Sequence, residues 1–393
     1  MPVFLFFFAL TTYKNFIQLR YKLSLKWILL EIRAPKEVRK SPKAMEQVLA
    51  GLHGVYSSAL NFKDKYIDGR VYNWYSFEIV GKGGETHFYI RTIDKFKNLV
   101  EAQLYAQYPD AEISEVSDYV NDMPLHLPDD KYDLWGTDLM LAKPDVFPIR
   151  TYPEFEEKAV GAEDVKRVDP LASLSEICSM LHTNEQIWIQ ILGAPINSDW
   201  VKKGQAEIDK IMGKIPAPSK SNFLSDAVFA IDRAINGTSA VVEKREEKRA
   251  DLSPGKQEIL KAVEKSWDKL GYEVIIRYLY IGPRDDFHSA HAYAVSGSFR
   301  QFASQNLNSF KMNKLILTYA NGLFKKSKLL KRKKIIYQLY RERKLFSPYL
   351  ARYTLNTEEL ATIFHFPDTG VKSPLLPRVE AKKGEPPAGL PIT

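Results

Sequence analysis

Residues 71–93, VYNWYSFEIVGKGGETHFYIRTI, set two aromatic and β-branched runs on either side of GKGG at 81–84. Runs of that composition favour strands. The glycines supply the positive φ angles that a tight hairpin needs. Upstream, LKWILLEIRAP at 25–35 is a strand that ends at Pro35. Ser41 and Pro42 then open a helix whose apolar stripe is Met45, Val48, Leu49 and Leu52. Downstream, Asp94 caps a helix carrying Phe96, Leu99, Val100 and Leu104 at helical spacing, and Pro109 stops it. AEISEVSDYV at 111–120 alternates as a fourth strand.

The order β-α-β-β-α-β over 25–120 predicts a ferredoxin-like, split βαβ arrangement, with two helices on one sheet face and the other face open for a partner. A second α+β region follows. It holds a strand at 137–151, a helix at 171–181, a strand at 185–195, a helix at 198–212, a strand at 272–283 and a helix at 285–302. Between these lie PAPSKS at 216–221, read as a linker, a helical pattern at 223–235 and a charge-dense, mobile stretch at 242–256. The predicted class is α+β, with two ferredoxin-like domains at 25–132 and 133–310, the second carrying a helical insertion at 197–255. A basic helical segment and a docking helix occupy 311–367. Residues 368–393, rich in Pro, Gly and Lys, form a flexible tail.

The 393 residues exceed one ordinary core. With 45% hydrophobic and 26% charged residues the composition is globular, so disorder is local. A net charge of +8 favours an anionic partner, nucleic acid or an acidic lipid surface. The single cysteine, Cys178, excludes a disulfide framework within one chain, and its neighbours Leu174, Ile177 and Leu181 mark it as a small core residue. MPVFLFFFAL at 1–10 carries no charge and is followed by Lys14, Arg20, Lys22 and Lys26. It is too short to span a bilayer alone. Positive charge after an apolar run marks the cytoplasmic side. Residues 1–24 therefore read as a membrane-anchor remnant with a basic flank, and the rest as lying on the cytoplasmic face of the cell membrane.

Catalytic signals are weak. Gly81-Lys82, Gly213-Lys214 and Gly255-Lys256 lack the hydroxyl residue that a phosphate-binding loop places after its lysine. Asp285, Asp286, His288 and His291 cluster at a helix start, where the aspartates complement the helix N-terminus. The expectation is no catalytic residue, no metal and no cofactor.

The basic segment stands out. KKSKLLKRKKIIYQLYRERK at 325–344 holds ten Lys or Arg and one acid. Lys325, Lys326, Lys328, Lys331, Arg332, Lys333, Lys334, Arg341, Arg343 and Lys344 are the candidate anion-binding residues. Leu329, Leu330, Ile335, Ile336, Leu339 and Tyr340 interleave with them as an apolar side. Such a helix can neutralise DNA phosphates or anionic lipid heads, and the sequence leaves that choice open. LNTEELATIFHFP at 355–367 follows, with Asn356 and Glu359 as a capping pair.

That line, Asn356, Glu358, Glu359, Leu360, Ala361, Thr362, His365 and Pro367, resembles the segment leading into the motor of conjugation-type ATPases, the coupling-protein and HerA/FtsK-like class of type IV secretion. The upstream α+β region is loosely similar to their non-motor N-terminal parts. No motor with a phosphate-binding loop follows in this sequence, so the resemblance does not extend to ATPase activity. It implies a non-catalytic, membrane-associated accessory component of a DNA-translocation machine. Its partners would be a separately encoded P-loop motor ATPase and DNA or an anionic membrane. Asn356, Glu358, Glu359, Leu360, His365 and Pro367 would be the docking line. Homo-oligomerisation stays open. The alternative is a nucleic-acid-binding module unrelated to secretion, stacking bases on its open sheet face.

Overall fold

A computed structural model describes residues 2–34, 40–56, 60–157, 166–212, 253–345, 347 and 349–368. The linker at 216–221, the helix at 223–235, the charged stretch before residue 253 and the tail after 368 lie outside the described residues. The first half runs α1 (Pro2–Ser24), β1 (Trp27–Arg33), α2 (Lys43–Leu52), α3 (Phe62–Tyr66), β2 (Tyr75–Lys82), β3 (Glu85–Ile93), α4 (Lys97–Gln107) and β4 (Glu112–Val116). The second runs β5 (Tyr132–Leu141), β6 (Glu156–Glu157), β7 (Lys166–Arg167), α5 (Ala172–Ser179), β8 (Gln186–Pro195), α6 (Asp199–Ile211), α7 (Pro254–Trp267), β9 (Gly271–Pro283), α8 (Ser289–Phe299) and β10 (Phe310–Met312). It closes with α9 (Lys325–Arg341), β11 (Tyr353–Asn356) and α10 (Thr357–Ile363).

The class is α+β. Nine strands form one sheet in the order β10-β5-β9-β8-β2-β3-β1-β4, with β11 on β9, and every pairing in it is antiparallel. The order β4-β1-β3-β2 of the first half recurs as β10-β5-β9-β8 in the second, and the β2–β8 pair, from Tyr75↔Gly193 to Lys82↔Gln186, joins the halves. β2 and β3 meet in the predicted hairpin. β2 continues two residues past its expected end, to Lys82, so the turn narrows to Gly83 and Gly84, whose φ angles of +56° and +92° suit glycine. Gly81 lies within β2 for another reason. A Cβ there would stand 2.6 Å from the Cys178 sulfur of α5. Cys178 is fully buried, and burial pushes its thiol up to about 12, as fits an inert core residue. The strand expected at 137–151 begins earlier, as β5.

Alternation divides the sheet into two faces. Tyr75, Phe77 and Ile79 of β2, Ile187, Ile189 and Ile191 of β8, and Val274, Ile276 and Tyr278 of β9 point into the larger core, shared with Val48 and Leu49 of α2 and Phe364 beyond α10. Leu29, Val80, Trp188, Leu279 and Ile281 point the other way, onto Ile336, Tyr337, Leu339 and Tyr340 of α9 and onto Tyr119, Val120 and Met123. The expectation that this second face stays open is thus corrected. The basic helix lies on it, because its apolar residues at 336, 337 and 340 share one helical stripe. Phe88 and Tyr89, aromatics of β3, are both buried.

Candidate anionic-surface interface

α9 divides into two halves. At its start, Lys325, Lys326, Lys328, Lys331 and Lys334 are exposed, and none has an ion-pair partner among the described residues. Leu323, Phe324 and Leu330 are exposed among them, the first two at 78% and 74%. The first turn holds no acid, so lysines crowd the positive end of the helix dipole. That arrangement is unfavourable until an anion arrives.

The remaining cations are bound within the chain. Lys333 reaches Asp133 at 2.6 Å. Arg332 donates to the carbonyls of Leu317 and Tyr319, and Arg341 to Val120 O and Asn121 Oδ1. Lys344 sits 3.4 Å from Glu342. Arg343 is 1% exposed and bridges Glu78 and Asp118 at 2.8 and 2.7 Å. Arg343 is therefore corrected from anion binder to internal clamp. Two carboxylates already hold its guanidinium, which is buried from any ligand.

Arg343 joins a polar row that crosses the sheet under α9. Glu31, Tyr89, Glu78, Gln190, Arg277 and Asp138 stand directly opposite one another on successive strands β1, β3, β2, β8, β9 and β5. Arg277 donates to Leu339 O and, at 2.9 Å, to Lys344 O. Gln190 donates to Tyr340 O at 3.1 Å. These donors tie the sheet to carbonyls at the end of α9 and in the turn beyond it. Tyr119 donates to Glu78 at 2.7 Å and meets the Tyr340 hydroxyl at 2.7 Å. Asp138 lies 3.5 Å from Arg277, and burial pushes it up to about 6 against the pull of that cation. The row fixes the buried end of α9, and so aims its lysine-bearing end outward.

The 356–367 line lies in the core, and its reading as a surface for a partner is corrected. The expected capping box is present: Asn356 Oδ1 accepts from Glu359 N, and Glu359 Oε2 from Asn356 N, each at 2.9 Å. Glu359 Oε1 also accepts from Ile149 N at 2.9 Å. Glu358 accepts from the Thr151 hydroxyl and pairs with Lys265 and Lys269. Leu360 and Pro367 are buried. His365 turns its two ring nitrogens to Ala361 O and Asp169 Oδ1, at 2.8 and 3.1 Å. Phe364 and Phe366 close against Phe77, Phe88 and Tyr108. Burial outweighs the two backbone donors at Glu359 and pushes its pKa up to about 8, from an ordinary 4.5. The folded state then holds this proton more tightly than the unfolded chain. The contribution of Glu359 to stability is full below about 4.5 and falls as pH rises toward 8. Melting at pH 5 and pH 8 should show that decline in the wild type and a flatter response in Glu359→Gln; equal declines would exclude Glu359 as its source.

At the other acidic cluster, His288 Nδ1 lies 3.3 Å from Asp286, while His291 Nε2 turns 3.8 Å from Glu185. Among the described residues no group of three or more His, Cys, Asp or Glu could hold a metal.

α1 is one helix of 23 residues. Phe4, Leu5, Phe6, Phe7 and Phe8 are exposed on it, and Ile17 is buried. No described helix is long and apolar enough to cross a membrane. Sequence reading missed the exposed Leu323 and Phe324 beside the lysines. It also passed over the polar row, although its signal was legible: Glu78 in YSFEIV and Arg277 in VIIRYLY are lone charges within apolar strands.

Fold and site define an α+β protein with a nine-stranded antiparallel sheet and a cationic helix clamped to one face. Residues 12–375 match the family described as Domain of unknown function (DUF8128), and the chain belongs to that family. A comparison with curated proteins returned no match.

Proposed function

We propose that the chain is a non-catalytic module of the membrane surface, built from two ferredoxin-like units joined edge to edge. The observation that carries this reading is the exposed start of α9, where five lysines without an ion-pair partner among the described residues accompany the exposed Leu323, Phe324 and Leu330. Cations interleaved with exposed apolar side chains suit a headgroup layer over an acyl boundary. The apolar, aromatic start of α1 supports the same setting.

In line with its sequence resemblance, the module is an accessory of a type IV secretion or conjugation-like DNA-translocation machine, working beside a separate P-loop motor ATPase. Since the 356–367 line is internal, a motor meets another surface, and the α9 lysines are the part suited to guiding DNA. Affinity isolation of the tagged full chain from its native membranes tests this role. A P-loop ATPase should co-purify, and duplex DNA should bind at low salt. Isolation without any such ATPase, together with no DNA binding at any salt, would sink it.

A further inference from the structure

A cleft of about 980 Å³ opens between α1, α3 with the chain that follows it, and the turn beyond α9. Five cations line it: Lys14 and Lys22 of α1, Lys65 and Arg70, and Lys344. Among the described residues no aspartate or glutamate lines it. Arg70 is paired with Asp64 and Asp68, at 3.4 and 3.7 Å, and Lys344 with Glu342. The Nζ atoms of Lys14 and Lys22 rest over the rings of Tyr66 and Trp74, at 5.7 and 5.9 Å. Burial, then the nearby Lys344, lowers the pKa of Lys22, so like charges are brought together here at a cost. Phe16 and Leu19 of α1, Phe62 of α3 and Ile67 are all more than half exposed nearby. Three separate segments of chain thus bring cations to one concavity that has an apolar surround.

We propose that this cleft binds a phosphate group, and that its source is the headgroup of an anionic phospholipid whose acyl region meets the exposed aromatics of α1. Lys14, Lys22 and Lys65 supply point charges, and Tyr66 and Tyr72 bring aromatic side chains to the wall. The inference rests on the membrane-surface reading only for the source of the phosphate. The site shares no residue with the exposed lysines of α9.

The test uses the full chain and a Lys14→Gln/Lys22→Gln/Lys65→Gln variant with α9 intact. Probes are inorganic phosphate, glycerol phosphate, and vesicles of phosphatidylglycerol or phosphatidylcholine. The wild type should prefer phosphatidylglycerol, and the variant should bind those vesicles about a hundredfold more weakly, given the usual contribution of each lysine near an anionic surface. Lys344→Gln, from the opposite wall, should weaken binding in the same direction and serves if the triple variant does not fold. Saturable binding of the soluble phosphates, lost in the variants, would support the pocket with a free phosphate as source. Vesicle binding without soluble binding assigns the lipid. Binding of every probe at wild-type strength by the variants would overturn the proposal. If α9 variants fail to affect vesicles while these do, the cleft stands and the α9 reading falls.

Discussion

Replacing Arg343 with methionine is expected to cost about 3–5 kcal/mol of folding stability, the usual penalty for removing one partner of a buried ion pair. Glu78 is fully buried, and it would lose the guanidinium that now donates to both its oxygens. Asp118, 28% exposed at its side chain, has partial access to water and contributes less. The clamp also holds Arg343 at φ +46°, a conformation that non-glycine residues adopt only when their surroundings enforce it. Urea unfolding followed by far-ultraviolet circular dichroism measures the loss. A double variant, Glu78→Gln with Arg343→Met, should recover much of it, since removing both charges abolishes the uncompensated one. A single-variant loss below about 1 kcal/mol would mean that α9 is held by its apolar stripe alone.

The largest functional effect is expected from Lys325, Lys326, Lys328, Lys331 and Lys334. Changing all five to serine should leave folding nearly untouched, because none bonds to the body of the protein among the described residues. Binding is another matter. With about one unit of salt slope per neutralised phosphate, the slope of log K against log salt for duplex DNA should flatten by about 4–5. Affinity for an anionic bilayer should drop by about a thousandfold or more. Changing Lys333, which is paired with Asp133, should move either value far less.

The fold was legible where short-range chemistry governs it. Strand composition and the glycine turn revealed β2 and β3, and the Asn356–Glu359 spacing revealed the capping box of α10, since both depend on residues within one or two turns of chain. What covers each face was not legible. Tyr340 meets Tyr119, and Arg343 meets Glu78, over sequence separations of 221 and 265 residues. No periodicity carries such pairings. The same gap explains the corrected readings of Arg343 and of the 356–367 line. Ten cations in one segment look alike in sequence, yet the buried Glu78 of a distant strand, with Asp118, claims Arg343 and leaves Lys325 to solvent. The well-capped 356–367 line looks like a detachable docking element, yet its aromatic residues complete the core against Phe77, Phe88 and Tyr108. The cationic cleft was beyond reach for the same reason, since its lysines come from positions as far apart as 14, 65 and 344.

The most direct measurement is co-sedimentation of the full chain with phosphatidylglycerol and phosphatidylcholine vesicles across a salt series, with the five-serine α9 variant alongside. The α9 interface predicts tight, salt-sensitive binding to the anionic vesicles, weak binding to the neutral ones, and a much smaller salt-sensitive part in the variant. Equal binding of wild type and variant at every salt concentration, or no preference for the anionic lipid, would contradict a role for α9 at an anionic surface.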